Sequence, residues 1–152
     1  MKCWLGEEVK RSQYEKMDGK EKEAYNASHL RSVLATRGFV VTDIHTDKFG
    51  ADLVAYKPSD PARSAIWIQL KSRLTICKKY LNKNLFVAFP ENPGHASSDW
   101  FIYPHDSFVT HCSNESKWVT NENCWHRDGG YSSNTIPAWA KHYLEQWKVP
   151  HS

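Results

Sequence analysis

The sequence predicts an α/β domain with a mixed, mainly antiparallel central sheet flanked by helices. Three observations carry that prediction. Two strand-length runs rich in Val, Ile, Trp and Tyr, residues 51–56 and 65–71, are separated by a segment holding Pro58, Asp60 and Pro61, residues that interrupt a ladder and favour a turn. Ahead of them Ala27, Leu30, Val33 and Leu34 recur at helical spacing. A second helical stripe, Trp139, Tyr143, Leu144 and Trp147, closes the chain. The first helix is expected on one face of the sheet and the last helix on the other. With 152 residues, 40% apolar and 24% charged, the chain has ordinary globular composition and enough length for one domain with a core of its own.

Taken in order, residues 1–20 are polar and charged, with room for a short helix around residues 7–16, and read as an N-terminal arm to a single domain over 21–152. Residues 22–37 form the first helix, with Gly38 at its C-terminal cap position. Residues 39–45 (FVVTDIH) are a short strand, and residues 46–50 turn the chain towards Asp52, Gly50 permitting close backbone approach. Residues 75–84 suit either a short basic helix or a strand extension with a turn. The apolar run LFVAFP at 85–90 suits the sheet centre. A loop follows at 91–98, then a strand at 100–103 whose aromatics belong to the core. A short helical turn is expected from Pro104 to Val109, and a turn at Asp128-Gly129-Gly130-Tyr131. The closing helix covers residues 138–149, after Pro137. Internal repeats and low-complexity tracts are absent from the sequence.

The net charge of +3 is small, but Lys71, Arg73, Lys78, Lys79 and Lys83 place five positive charges within thirteen residues that hold no acid. Such a stretch suits contact with a phosphate backbone, and equally a solubilising surface. Cys3, Cys77, Cys112 and Cys124 have no close pairing rhythm, so free thiols in a reducing cytoplasm are expected. No apolar run approaches the length of a membrane span. His111, Cys112, Cys124 and His126 are all zinc-competent residue types, yet the gaps within each pair differ from those of structural zinc modules, which favours incidental roles.

The chemistry concentrates on the two central strands. If they pair symmetrically about the Pro-containing loop, Asp52 lies opposite Gln69. Alternation then gives Trp67, Gln69, Lys71 and Arg73 one face and Ile66, Ile68 and Leu70 the other. A carboxylate, an amide and an ammonium would meet. Mg²⁺ takes one or two carboxylates and keeps several waters. Asp52 supplies the carboxylate and the Gln69 side-chain carbonyl a neutral second ligand. Lys71 would orient water or stabilise developing charge. The same spacing also suits a plain cross-strand salt bridge between Lys71 and Asp52, of small energetic worth.

Gly50-Ala51-Asp52, then Gln69-Leu70-Lys71 on the next strand, after a helix and a first strand, resembles the motif of the PD-(D/E)xK nuclease superfamily, in its Gln-variant (QxK) branch. The resemblance covers residues 38–73, and the order of strands continues to about residue 104. Ala51 stands where the motif has Pro, and Gln69 replaces an acid, removing one negative charge from the metal site. The resemblance implies a restriction-endonuclease-like core and a Mg²⁺- or Mn²⁺-dependent endonuclease acting on DNA. It assigns Asp52, Gln69 and Leu70 to the metal and Lys71 to the attacking water, and makes a homodimer plausible. It also implies that an acid on the first helix completes the metal shell. Glu23 is that candidate, with Asn26 nearer the usual position. Arg73, Lys78, Lys79 and Lys83 would hold the nucleic acid. Two other classes remain: a nuclease-like module that binds nucleic acid without cutting it, and an immunity or antitoxin-type protein that binds a partner through its tryptophan-rich C-terminal half.

Overall fold

The computed structural model of the chain describes residues 4–45, 50–120, 125–127 and 129–152. Residues 46–49 of the turn expected at 46–50, and Cys3, Cys124 and Asp128, lie outside them.

The segment expected as an arm carries a short helix, α1 (Arg11–Glu15), whose Tyr14 is buried and accepts a hydrogen bond from Asn26 Nδ2 at 3.1 Å. The main helix, α2 (Gly19–Ala35), starts three residues earlier than the apolar stripe alone indicates. The reason is a capping box. The Asp18 carboxylate accepts from Glu21 N–H at 2.8 Å, and Glu21 returns a bond to Asp18 N–H, so two donors that helix geometry leaves over are satisfied. At the other end Gly38 takes a φ of +82°, and Phe39 N–H turns back to the Leu34 carbonyl.

The strands are β1 (Val40–Asp43), β2 (Leu53–Tyr56), β3 (Ile66–Leu70), β4 (Leu74–Cys77), β5 (Leu85–Pro90), β6 (Trp100–Pro104), β7 (Gly130–Ser133) and β8 (Lys148–Val149). Six of them form one sheet in the order β1-β2-β3-β5-β6-β8, antiparallel except for the parallel pair β3–β5. β5 is therefore interior, as its continuous apolar run requires. Strands β4 and β7 form a separate two-stranded sheet. With two further helices, α3 (His105–Glu115) and α4 (Ala138–Glu145), the architecture is the mixed, mostly antiparallel α/β arrangement that the sequence predicts.

The stretch after Arg73 takes the strand-and-turn alternative, β4 followed by a 3-10 turn at Lys78–Tyr80. Three local expectations change. The helical turn at Pro104 runs on to Glu115. Gly130 and Tyr131 belong to β7, paired with Ile76 and Cys77 of β4. The last helix stops at Glu145, because β6 offers an open edge: the Trp147 carbonyl accepts from Ile102 N–H at 3.1 Å and β8 pairs with β6.

Alternation gives the large sheet two apolar faces. Leu30, Val33 and Leu34 of α2 pack on Leu53, Ala55, Ile68, Leu70, Ala88, Trp100 and Ile102. On the opposite face Val87, Phe89, Phe101 and Tyr103 pack with Phe108 and Cys112 of α3, Ala140 and Leu144 of α4, and Leu74 and Ile76 of the small sheet. The two helical layers thus sit as expected. That second cover stops at β5. Beyond it, Val40, Tyr56 and Trp67 on β1–β3 are exposed, and a small cluster of Ala51, Tyr80 and Leu85 supports one end of β2 and β3. No helix among the described residues is long and apolar enough to cross a membrane.

Candidate active site

Strands β2 and β3 pair as Leu53–Ile68, Val54–Trp67 and Ala55–Ile66. This is the register read from the symmetry of the intervening loop, and continuing it sets Asp52 opposite Gln69. Asp52 is pinned from both sides: its N–H donates to the Ile68 carbonyl at 2.8 Å and its carbonyl accepts from Ile44 N–H at 2.9 Å. The next donor along β3 on that side, Leu70 N–H, has passed the end of the ladder. The Asp52 carboxylate takes it, with Oδ2 at 2.9 Å from Leu70 N. The Gln69 amide nitrogen donates to the same Oδ2 at 2.9 Å and reaches the Leu70 carbonyl at 3.4 Å. The Asp52 carboxylate oxygen and the Leu70 carbonyl therefore converge on one point, where an N–H donor now sits.

Lys71 is fixed by its N–H to the Ala88 carbonyl of β5 at 2.8 Å. Its Nζ lies 5.6 Å from the centre of the Tyr80 ring, and Lys79 Nζ lies 5.3 Å from the same centre. Such cation–ring contacts hold both ammoniums near the site. The turn at Lys78–Tyr80 brings the ring there, and Gly50 makes room for it. At φ +76°, Gly50 occupies backbone space that L side chains avoid, and a Cβ there would stand 3.2 Å from Tyr80.

Two cavities meet at this trio. One, of about 350 Å³, brings Lys79, Lys83, His45 and Tyr80 to Asp52, Gln69 and Lys71. The other, of about 410 Å³, brings Lys22, Glu23 and Asn26 to the same three residues. Asp52 and Lys71 thus face one side. Of the two candidates on α2, Asn26 is buried and bonded to Tyr14, while Glu23 is exposed at the rim and is the second acid lining that cavity. Among the described residues no three His, Cys, Asp or Glu side chains gather closely enough to hold a metal by themselves. The oxygen set is instead one carboxylate, one backbone carbonyl and one amide, with Glu23 near.

The other basic candidates separate. Strand β3 ends at Leu70 and the chain leaves the sheet for β4, which breaks the alternation that placed Arg73 beside Lys71. Arg73 Nη1 bonds to Asn134 Oδ1 at 2.5 Å in a neighbouring cavity. Lys78 is exposed, with Nζ 5.7 Å from the Trp125 ring centre. Of the zinc-competent residues, Cys112 is a core side chain whose thiol pKa is pushed up to about 12 by burial, and His111 Nε2 meets the Trp139 carbonyl at 3.0 Å.

Three contributors went unread in the sequence: His45, Lys22 and Tyr80. Lys22 follows from the capping box, since moving the helix start back to Gly19 places it within the first turns. Tyr80 carries a weaker signal, an aromatic inside a lysine-rich run. His45 carries none. A scan against protein-family models and a search of curated proteins find no match to this chain.

Proposed function

We propose that this chain is a nuclease that hydrolyses phosphodiester bonds of DNA with Mg²⁺ or Mn²⁺ as cofactor. The single observation that supports it most is the convergence of Asp52 Oδ2 and the Leu70 carbonyl on one point beside Lys71, in an open, lysine-lined cavity. Asp52, the Leu70 carbonyl and the Gln69 amide would hold the cation, the amide turning about its last torsion to present Oε1 in place of its N–H groups, with Glu23 as the further acid. When bound, the cation acts as a Lewis acid on the phosphoryl oxygen and activates water. The chain's own part is positioning and charge. Lys71 donates hydrogen bonds to the attacking water or a non-bridging oxygen, and Lys79 and Lys83 neutralise the phosphates beside it. Tyr80 keeps Lys71 and Lys79 on the cavity wall.

One observation favours a second reading, a module that binds nucleic acid without cutting it. The Gln69 amide already satisfies the Asp52 carboxylate, and it replaces the charge that an acid would bring to a cation. Nicking of supercoiled plasmid in Mg²⁺ or Mn²⁺ separates the two. Hydrolysis predicts nicking that EDTA abolishes and that Lys71→Ala reduces by about 100-fold or more, the usual scale for a charge-stabilising group. Binding of plasmid by the wild type with no nicking in either metal would leave the module.

A further inference from the structure

We infer that the cavity lined by Arg11, Arg73 and Lys141 is a second backbone-binding site, so that one nucleic-acid strand lies across Asp52 with phosphates held on both sides of it. The inference rests on the reading of the Asp52 site as a nucleic-acid site, and adds how the strand is held. This cavity measures about 700 Å³ and shares Lys22 and Ser72 with the cavity of Glu23. That cavity in turn shares Asp52, Gln69 and Lys71 with the cavity of Lys79 and Lys83. The three hollows adjoin in series along these shared residues, and a strand laid across them would follow one groove.

Charge along the groove alternates in a telling order. Lys79 and Lys83 stand at one end, Asp52 and Glu23 with Lys71 in the middle, and Arg11, Arg73 and Lys141 at the other end, with Lys22 between. A compact anion would need one of these clusters. An extended polyanion, with regularly spaced phosphates, uses both and leaves the acids to the bond between them. Two acids, Glu91 and Glu145, also line the far cavity, but Glu91 is engaged by Lys148 Nζ at 2.9 Å. The basic groups there already have partners that orient them: Arg73 has Asn134, and Arg11 has His95 at 3.3 Å and an exposed ion pair with Glu15 at 3.1 Å that a phosphate would replace. Ser72, Ser133 and Asn134 add the uncharged polar groups that commonly meet phosphate and sugar. The segment bearing Arg11 is anchored too. Tyr14 packs so closely on Gly94 that a Cβ there would stand 2.9 Å from its ring. A groove that continues past the acids in both directions suits attack within a strand rather than at its end.

The test is binding, read by fluorescence anisotropy on labelled duplex DNA and, separately, RNA of the same sequence, in EDTA so that no bond is cut. The double variant Arg11→Ala/Lys141→Ala should bind about 10-fold more weakly at about 0.1 M salt. Its slope of log affinity against log salt should be shallower by about two, at about 0.9 for each phosphate of a duplex that is no longer neutralised. Arg11→Lys/Lys141→Arg should restore both. A control with equal charge loss, Lys57→Ala/Arg63→Ala at the opposite end of the β2–β3 hairpin, should leave the slope unchanged. Equal losses from the two Ala pairs, or no loss from the first, would overturn the inference, whichever nucleic acid binds better. If neither DNA nor RNA binds the wild type, this inference and the nuclease proposal fall together. If the first pair weakens binding but the wild type never nicks plasmid, the groove stands and hydrolysis falls. If nicking depends on Lys71 while the first pair binds normally, hydrolysis stands and the second site falls.

Discussion

Asp52 and Asp106 are two carboxylates with closely similar partners and opposite surroundings. Each accepts one backbone N–H at 2.9 Å, from Leu70 and Asn82 respectively, and each accepts a side-chain donor, Gln69 Nε2 at 2.9 Å or His105 Nδ1 at 3.1 Å. Around Asp106 the network closes. His105 is fully buried, and its Nε2 accepts from Cys77 N–H at 3.0 Å, which leaves its one proton on Nδ1 for Asp106. Around Asp52 the network opens onto two cavities lined by lysines. Hydrogen bonds do not separate scaffold from site, and neither does exposure, since both carboxylates are half-buried; the lysine-lined cavities at Asp52 do. The two regions also touch, since the Tyr80 ring stands edge-on to His105 at 5.5 Å and carries Lys71 and Lys79 above it. The closed network therefore positions the floor of the open one.

The contrast yields four expectations. The largest is at Asp52. Asp52→Asn keeps an acceptor for Leu70 N–H but removes the charge, so nicking should fall by about 100-fold or more, about 3 kcal/mol in the barrier, with the thermal midpoint nearly unchanged. A matching fall in stability would show that Asp52 serves the scaffold. His105→Ala should behave oppositely. It empties a buried site and strands Cys77 N–H, at a cost of about 3 kcal/mol in urea unfolding. A cost under about 1 kcal/mol would break the comparison.

Third comes pH. Burial lowers the His105 pKa from its ordinary 6.5, with the Asp106 hydrogen bond and charge opposing it, and the neutral ring is the form whose Nε2 accepts from Cys77 N–H. The neutral form is the folded form. Its contribution is complete above 6.5 and is lost as pH falls below that value towards the folded pKa. The thermal midpoint should drop as the pH goes from about 7.5 to about 5.5, and His105→Asn should flatten that drop; parallel profiles would exclude His105 as the cause. The smallest effect is Asp106→Asn, which retains one acceptor at a carboxylate that is 44% exposed. About 1 kcal/mol is expected, with nicking altered only through Tyr80.

Much of the site was legible because its geometry is local. The two strands are consecutive in the chain, and once they pair symmetrically about residues 57–65, as they do, the meeting of Asp52 with Gln69 follows from counting residues. Alternation then carries Lys71 to the same side. The rule fails at Arg73, because it holds only while the strand lasts, and β3 ends where β4 departs for another sheet. Helix ends divide in the same way. The box of Asp18 and Glu21 is written in neighbouring residues, whereas the halt at Glu145 depends on the free edge of β6, far away in the chain. Nothing near Tyr80 in sequence announces that Gly50 opens space for its ring.

By itself the sequence determined the α/β class, the central position of β5, the alternation of faces from Ile66 to Lys71 and the pairing of an acid with an amide, since these follow from periodicity and from strands consecutive in the chain. Only the tertiary structure decided which lysines stand at the acid, which residues of α2 reach its cavity, and that Arg11 joins Arg73 and Lys141 around one cavity. Those juxtapositions depend on a parallel crossover and on contacts between distant segments, and the physical reason they stay hidden is that no local rule encodes which remote surfaces a chain will press together.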